Sequence, residues 1–148
     1  MSVRPYYILF IEIICFLFIF LFSYAAISKI LDFNTFKIQL GQSPLLTAFA
    51  GWVAWVVPII ELITALLLAI PKYRLVALYG ALGLMSLFTL YIIAILKFSD
   101  YVPCSCGGIL ENMGWQEHLI FNVIFLGLAM IGILITPPKT NASLIQNT

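Results

Sequence analysis

The sequence predicts an all-α membrane protein, a four-transmembrane-helix up-down bundle with a short interfacial helix after the first span. Three observations predict it. Hydrophobic residues make up 64% of the 148-residue chain and charged residues 9%, against roughly 25% charged in a soluble domain. The mean hydropathy is +1.13, so lipid is the solvent for most of the surface. The apolar residues fall in four stretches, about 6–31, 45–70, 73–98 and 116–136, and a helix crossing the hydrocarbon needs roughly 20 such residues. No linker divides the chain, so a single domain over 1–148 is expected. A net charge of +1 leaves no basic footprint for nucleic acid.

The first span also reads as a signal peptide cleaved after Ser23-Tyr24-Ala25-Ala26. Its apolar run from Tyr6 to Phe22 exceeds the usual h-region of about 7–15 residues, and an uncleaved anchor fits that length better. The next segment, "DFNTFKIQLGQSP" (32–44), sets Phe33, Phe36 and Leu40 at helical spacing among polar residues, the pattern of a helix lying in the interface. Spans two and three are joined through Pro71-Lys72-Tyr73-Arg74, too short for anything but antiparallel neighbours. Tyr6, Tyr7, Tyr73, Tyr101 and Trp115 stand at span ends, where amphipathic rings favour the headgroup region. Gly80, Gly83, Gly127 and Gly132 allow close helix contact. The polar tail 137–148 is expected to fray.

Orientation follows from charge and from thiol chemistry. With the N-terminus in the cytoplasm, Arg4, Lys72, Arg74 and Lys139 lie inside and Lys29, Lys37 and Lys97 outside, a narrow margin in the sense of the positive-inside rule. Paired thiols stay oxidised only outside the reducing cytosol, which puts the segment holding Cys104 and Cys106 on the outer face with both termini inside.

Cys104 and Cys106, two of the three cysteines, stand one residue apart between Pro103 and Gly107-Gly108. A disulfide between them closes a very small ring and is more reducible than a structural bridge. Labile bonds of this kind are catalytic or regulatory. Pro103 stiffens the approach, and the glycines permit close approach of a partner. Metal binding is the alternative, with Cys104, Cys106 and His118 as ligands and Met113 or Glu117 as a fourth, although the spacing is not a standard zinc pattern. Cys15, about 14 Å into the first span at ~1.5 Å per residue, is too far away to pair with either and is expected to be a packing residue.

Two acids fall within the spans. Glu12 and Glu61 each cost several kcal/mol in lipid and should face the bundle interior. Depths counted from the span ends bring them near each other, as a shared-proton pair that either carries protons, holds the polar edge of a quinone, or is structural. Trp52, Trp55, Tyr91 and Asn122 fall in the outer half of their spans, and rings with one amide donor suit a quinone pocket; packing or lipid contact is the alternative reading.

The string "PCSCGG", followed by Gly114-Trp115 and a fourth span, resembles the MauE family of redox-associated membrane proteins. The stretch "SYAAISKILDFNTF" and the later "PIIEL" resemble the related DoxX proteins. The resemblance runs over about 10–135. It implies a four-helix membrane protein that takes part in thiol–disulfide exchange. MauE proteins are linked to maturation of the disulfide-rich small subunit of periplasmic methylamine dehydrogenase, and the arrangement is similar to quinone-linked disulfide oxidases. Those oxidases carry two cysteine pairs, whereas this chain has one pair plus Cys15. The expected function is therefore that of a bacterial inner-membrane protein whose periplasmic Cys104/Cys106 pair oxidises, reduces or isomerises cysteines of an envelope partner, with a quinone or another membrane carrier taking the electrons. The alternative is a non-enzymatic metal-binding or docking subunit of an envelope membrane complex.

Overall fold

In hydrocarbon every backbone N–H and C=O must find its partner within the segment, so long apolar runs become helices. In the computed structural model, which describes residues 4–99 and 114–136, α1 covers Arg4–Leu31, α2 Phe33–Gln42, α3 Ala50–Ala69, α4 Arg74–Phe98 and α5 Trp115–Ile135. Helices α1, α3, α4 and α5 belong to segments long and apolar enough to span a membrane, with mean hydropathies of 2.6, 2.2, 2.0 and 2.4. The expected all-α four-span bundle is present, and α2 is the short helix foreseen after the first span.

One boundary moves. The second span, expected over about 45–70, runs Thr47–Ala69 and opens with a 3₁₀ turn over Thr47–Phe49 before α3 starts at Ala50. Backbone N–H groups of Leu46 and Thr47 donate to the Ser43 carbonyl at this turn, and the Thr47 hydroxyl shares its one hydrogen between the Ser43 carbonyl at 2.7 Å and the Gly41 carbonyl at 3.0 Å. Those bonds satisfy carbonyls at the end of α2 and hold the chain in a turn. Between α3 and α4, a second 3₁₀ turn over Pro71–Tyr73 begins on a proline, whose fixed φ suits a helix start and whose missing N–H loses nothing there.

The four long helices form a ring. α1 packs along α3, α3 on α4, α4 on α5, and α5 closes back on α1, while α2 lies on α3. One end of the bundle, the loop end, carries α2, the starts of α3 and α5, and the finishes of α1 and α4. The other, the termini end, carries the start of α1, the Pro71–Tyr73 turn and the finish of α5.

The core is built from rings seated against small residues. Ile14, Cys15, Phe18 and Phe22 of α1 meet Ala65 and Leu68 of α3, Ala77, Leu78, Ala81, Leu84 and Met85 of α4, and Ala129 of α5. Phe18 stacks on Phe22 at 5.7 Å and meets Phe125 edge-on at 5.3 Å. Gly132 fixes the level of three helices, because a Cβ there would lie 3.3 Å from Leu78 Cδ2 and 3.4 Å from Ile14 Cγ2. Gly80 makes an ordinary contact toward Thr64, and Gly83 and Gly127 face open space. Of the four glycines expected at helix contacts, Gly132 alone is tight. Large side chains such as Phe16, Phe20, Leu66, Leu87 and Leu134 point outward, as a bilayer-facing surface requires.

Candidate functional site

Residues 100–113, with Cys104 and Cys106, lie outside the described residues. Their two anchors, Ser99 after α4 and Gly114 before α5, belong to the loop end of the bundle. The same end houses the polar group that the described residues do define.

Lys29 stands in the last turn of α1. Helical side chains lean toward their own N-terminus, so its four-carbon stem runs back into the bundle. Its Nζ donates to Glu61 Oε1 at 2.7 Å, with the two side chains 15% and 0% exposed. The rings of Phe88 on α4 and Phe36 on α2 flank the ammonium, 5.5 Å and 5.8 Å from Nζ to their centroids, which partly replaces lost hydration. His118, in the first turn of α5, lies within electrostatic range of Lys29. One ammonium therefore contacts groups of α2, α3 and α4.

Two further polar atoms complete this layer. Glu61 Oε2 and Asn122 Nδ2 are buried without a hydrogen-bond partner among the described residues, and Asn122 is 3% exposed. Thr64, one turn from Glu61, donates to the Ile60 carbonyl at 2.8 Å and does not serve the carboxylate. Packing sets the height of Asn122. Phe88 and Asn122 stand ten residues along α4 and α5 from Leu78 and Gly132, which touch. Both then sit about 15 Å above that contact, so Asn122 shares the layer of Phe88 and the Lys29 ammonium.

The expected Glu12–Glu61 pair is not formed. Glu12 is half exposed and faces Arg74 Nη1 at 3.8 Å, near the termini end. Glu12 and Lys29 are 17 residues apart on α1, about 26 Å at ~1.5 Å per residue. A carboxylate held by Lys29 cannot reach Glu12. Depths counted from span ends treated all helices as flush, whereas α1 begins well before the level of the first turn of α4. Each acid has a base instead.

Nor are the four residues expected around a quinone brought into one pocket. Trp52 and Trp55 are 78% and 59% exposed and line a shallow outward groove with Gly51, Val56 and Ile59. The Trp55 ring packs on Phe33 of α2 at 4.6 Å between centroids. Asn122 points inward from α5, and Tyr91 is half-buried on α4. The tryptophans occupy the position of interface aromatics; Asn122 belongs to the ion-pair layer.

For the metal alternative, no cluster of three His, Cys, Asp or Glu side chains forms among the described residues. Glu117 accepts the Gly114 N–H at 3.1 Å and so caps α5, and the His118 ring stacks beside Trp115 at 6.4 Å. Cys15 is 2% exposed within the core, the packing role its position suggests. Sequence reasoning missed Lys29, Phe36 and Phe88 as site residues. The signal for Lys29 was available: it falls inside a 26-residue apolar span, where a cation requires a partner.

A ring of four apolar helices that buries an ion pair toward one end defines a polytopic membrane protein with a polar interior site. The chain belongs to the MauE family, since the model for Methylamine utilisation protein MauE matches residues 8–135. Neither the curated proteins nor the solved structures yielded a match.

Proposed function

We propose that this membrane protein performs thiol–disulfide exchange through Cys104 and Cys106, with a cysteine-containing envelope protein as its partner. The observation that carries the reading is the Cys-Ser-Cys sequence itself, which falls inside the stretch matched by the MauE model. A thiolate of the reduced pair attacks a partner disulfide, forming a mixed disulfide and releasing one partner thiolate. The second cysteine then attacks the mixed disulfide, which leaves the pair oxidised and the partner's two sulfurs reduced. In the reverse direction the same two steps oxidise the partner, and the reduced pair passes two electrons and two protons to a membrane carrier of the quinone class. The strain of a bridge across one residue keeps the pair easy to reduce. The cysteine segment faces the periplasm of a bacterial inner membrane, where such a bond persists.

Serine substitutions test this. Replacing the resolving cysteine should trap the partner as a covalent adduct on a non-reducing gel, and replacing the attacking one should abolish it, so the two single variants are unequal. Zinc and copper are measured on the same samples. Stoichiometric metal in the wild type, with no adduct from either variant, refutes exchange and supports a metal site.

A further inference from the structure

Glu61 has no solvent exposure, one oxygen held by Lys29 at 2.7 Å, and a second oxygen without a partner among the described residues. Asn122, in the same layer, has a buried amide donor in the same condition. A buried acceptor lacking a donor and a buried donor lacking an acceptor, set in one layer, are each costly unless hydrogen-bonding species reach them from outside. His118 lies one helical turn farther toward the loop end on the same face of α5, and the Lys29 side chain keeps 15% exposure. Polar groups thus lead from Glu61 to that end.

The opposite direction is dry. Toward the termini end, Phe18, Ala65, Leu68, Leu84 and Met85 form one apolar cluster. Thr64 and Ser86, on that side of the layer, donate to carbonyls of their own helices. The next acid, Glu12, stands two residues beyond Ile14 on α1, on the far side of that cluster.

We propose that Glu61 is a proton-loading site that communicates through Asn122 and His118 with the compartment at the loop end, and not with the compartment at the termini end. Loading takes a proton from water at the loop end and converts the carboxylate to the acid, while Lys29 remains an ammonium. The charged and titratable groups around it are Lys29 from α1 and His118 with the capping Glu117 from α5. Asp32 and Lys37 of the α2 segment lie toward the loop end. The charges of α4, Arg74 and Lys97, stand at its two ends. Tyr24 of α1 and Tyr91 of α4 are half-buried phenols in the loop-side halves of their helices. The site is independent of Cys104 and Cys106.

A membrane-permeant carbodiimide, which reacts with protonated carboxyls, tests it in vesicles of both orientations with inner and outer pH set separately. The activated Glu61 either rearranges to an acylurea or, once Lys29 has released a proton to water, is captured by the free amine, giving an internal amide and releasing the urea. Both products are read by intact mass. Labelling Asn34→Cys with an impermeant maleimide identifies the loop side. The reaction at Glu61 should rise about tenfold per unit of acidification on the loop side while the acid is mostly ionised, and ignore the same change on the other side. Asn122→Leu should slow it about tenfold by removing one hydrogen bond from the path, and His118→Phe should slow it too. Glu61→Gln should remove the modification. Replacing both cysteines with serine should change nothing, which separates this proposal from the exchange reading. A rate that follows the termini-side pH, responds to neither side, or is unaltered in both the Asn122 and His118 variants overturns it.

Discussion

Lys29→Met is the perturbation whose effect the structure fixes best. It leaves Glu61, at 0% exposure, facing apolar rings instead of an ammonium 2.7 Å away. Removing one partner of a buried ion pair costs about 3–5 kcal/mol, chiefly the desolvation of the stranded charge. Glu61→Leu should be milder, about 1–2 kcal/mol, because a lysine on a flexible stem can recover solvent. The freed ammonium keeps the faces of Phe36 and Phe88, and its stem can extend from 15% exposure toward the headgroups. The double variant, Lys29→Met with Glu61→Leu, removes both charges and fills the space with apolar atoms, which is neutral or stabilising for buried pairs. The single variants should therefore be strongly non-additive, with a coupling of about 3 kcal/mol or more. The assay is unfolding in mixed micelles, followed by circular dichroism across a series of denaturing-detergent fractions. Single-variant effects that add within about 0.5 kcal/mol, or a double variant as unstable as Lys29→Met, refute the claim that the two side chains act as one buried unit.

Two other outcomes follow from the same packing. Gly132→Val should lower stability by about 1–3 kcal/mol through overpacking, because even a Cβ there meets Leu78 and Ile14 at 3.3 and 3.4 Å; Gly83→Ala, with nothing within 4 Å, should stabilise by up to about 1 kcal/mol through helix propensity; thermal melts of the two in one detergent decide it. In intact cells an impermeant maleimide should label Asn34→Cys, and Cys104 after reduction, from the same face, while Cys15, 2% exposed, stays unlabelled until the protein is denatured; labelling of Asn34→Cys only after lysis inverts the proposed orientation.

Helix count and order were legible in the residues, because a bilayer imposes one simple constraint. A backbone in hydrocarbon must be helical, and only long apolar runs can enter. Four such runs with brief connections leave little choice but an up-down ring, and Cys15 inside an apolar run could hardly be anything but packing. The short α2 was readable from Phe33, Phe36 and Leu40 for the same reason, a periodic apolar face among polar residues. The start of α3 was not, since it depends on where the donors of Leu46 and Thr47 find carbonyls.

The partners of the buried charges were decided by tertiary structure alone. Sequence arithmetic gives depth along each helix only if the helices are flush, and it says nothing about rotation. The axial offset of α1 puts Glu12 beside Arg74 and brings Lys29 down to Glu61. The rotation of α3 turns Trp52 and Trp55 outward while Glu61 faces in. Both quantities are set by side chains on neighbouring helices, such as Ile14 and Leu78 seated against Gly132. Hydropathy along one segment carries no record of them. The sequence by itself determined that this chain is a four-helix membrane protein with a cysteine pair in the connection before its last span; the packing of the bundle determined which of its few intramembrane charges meet.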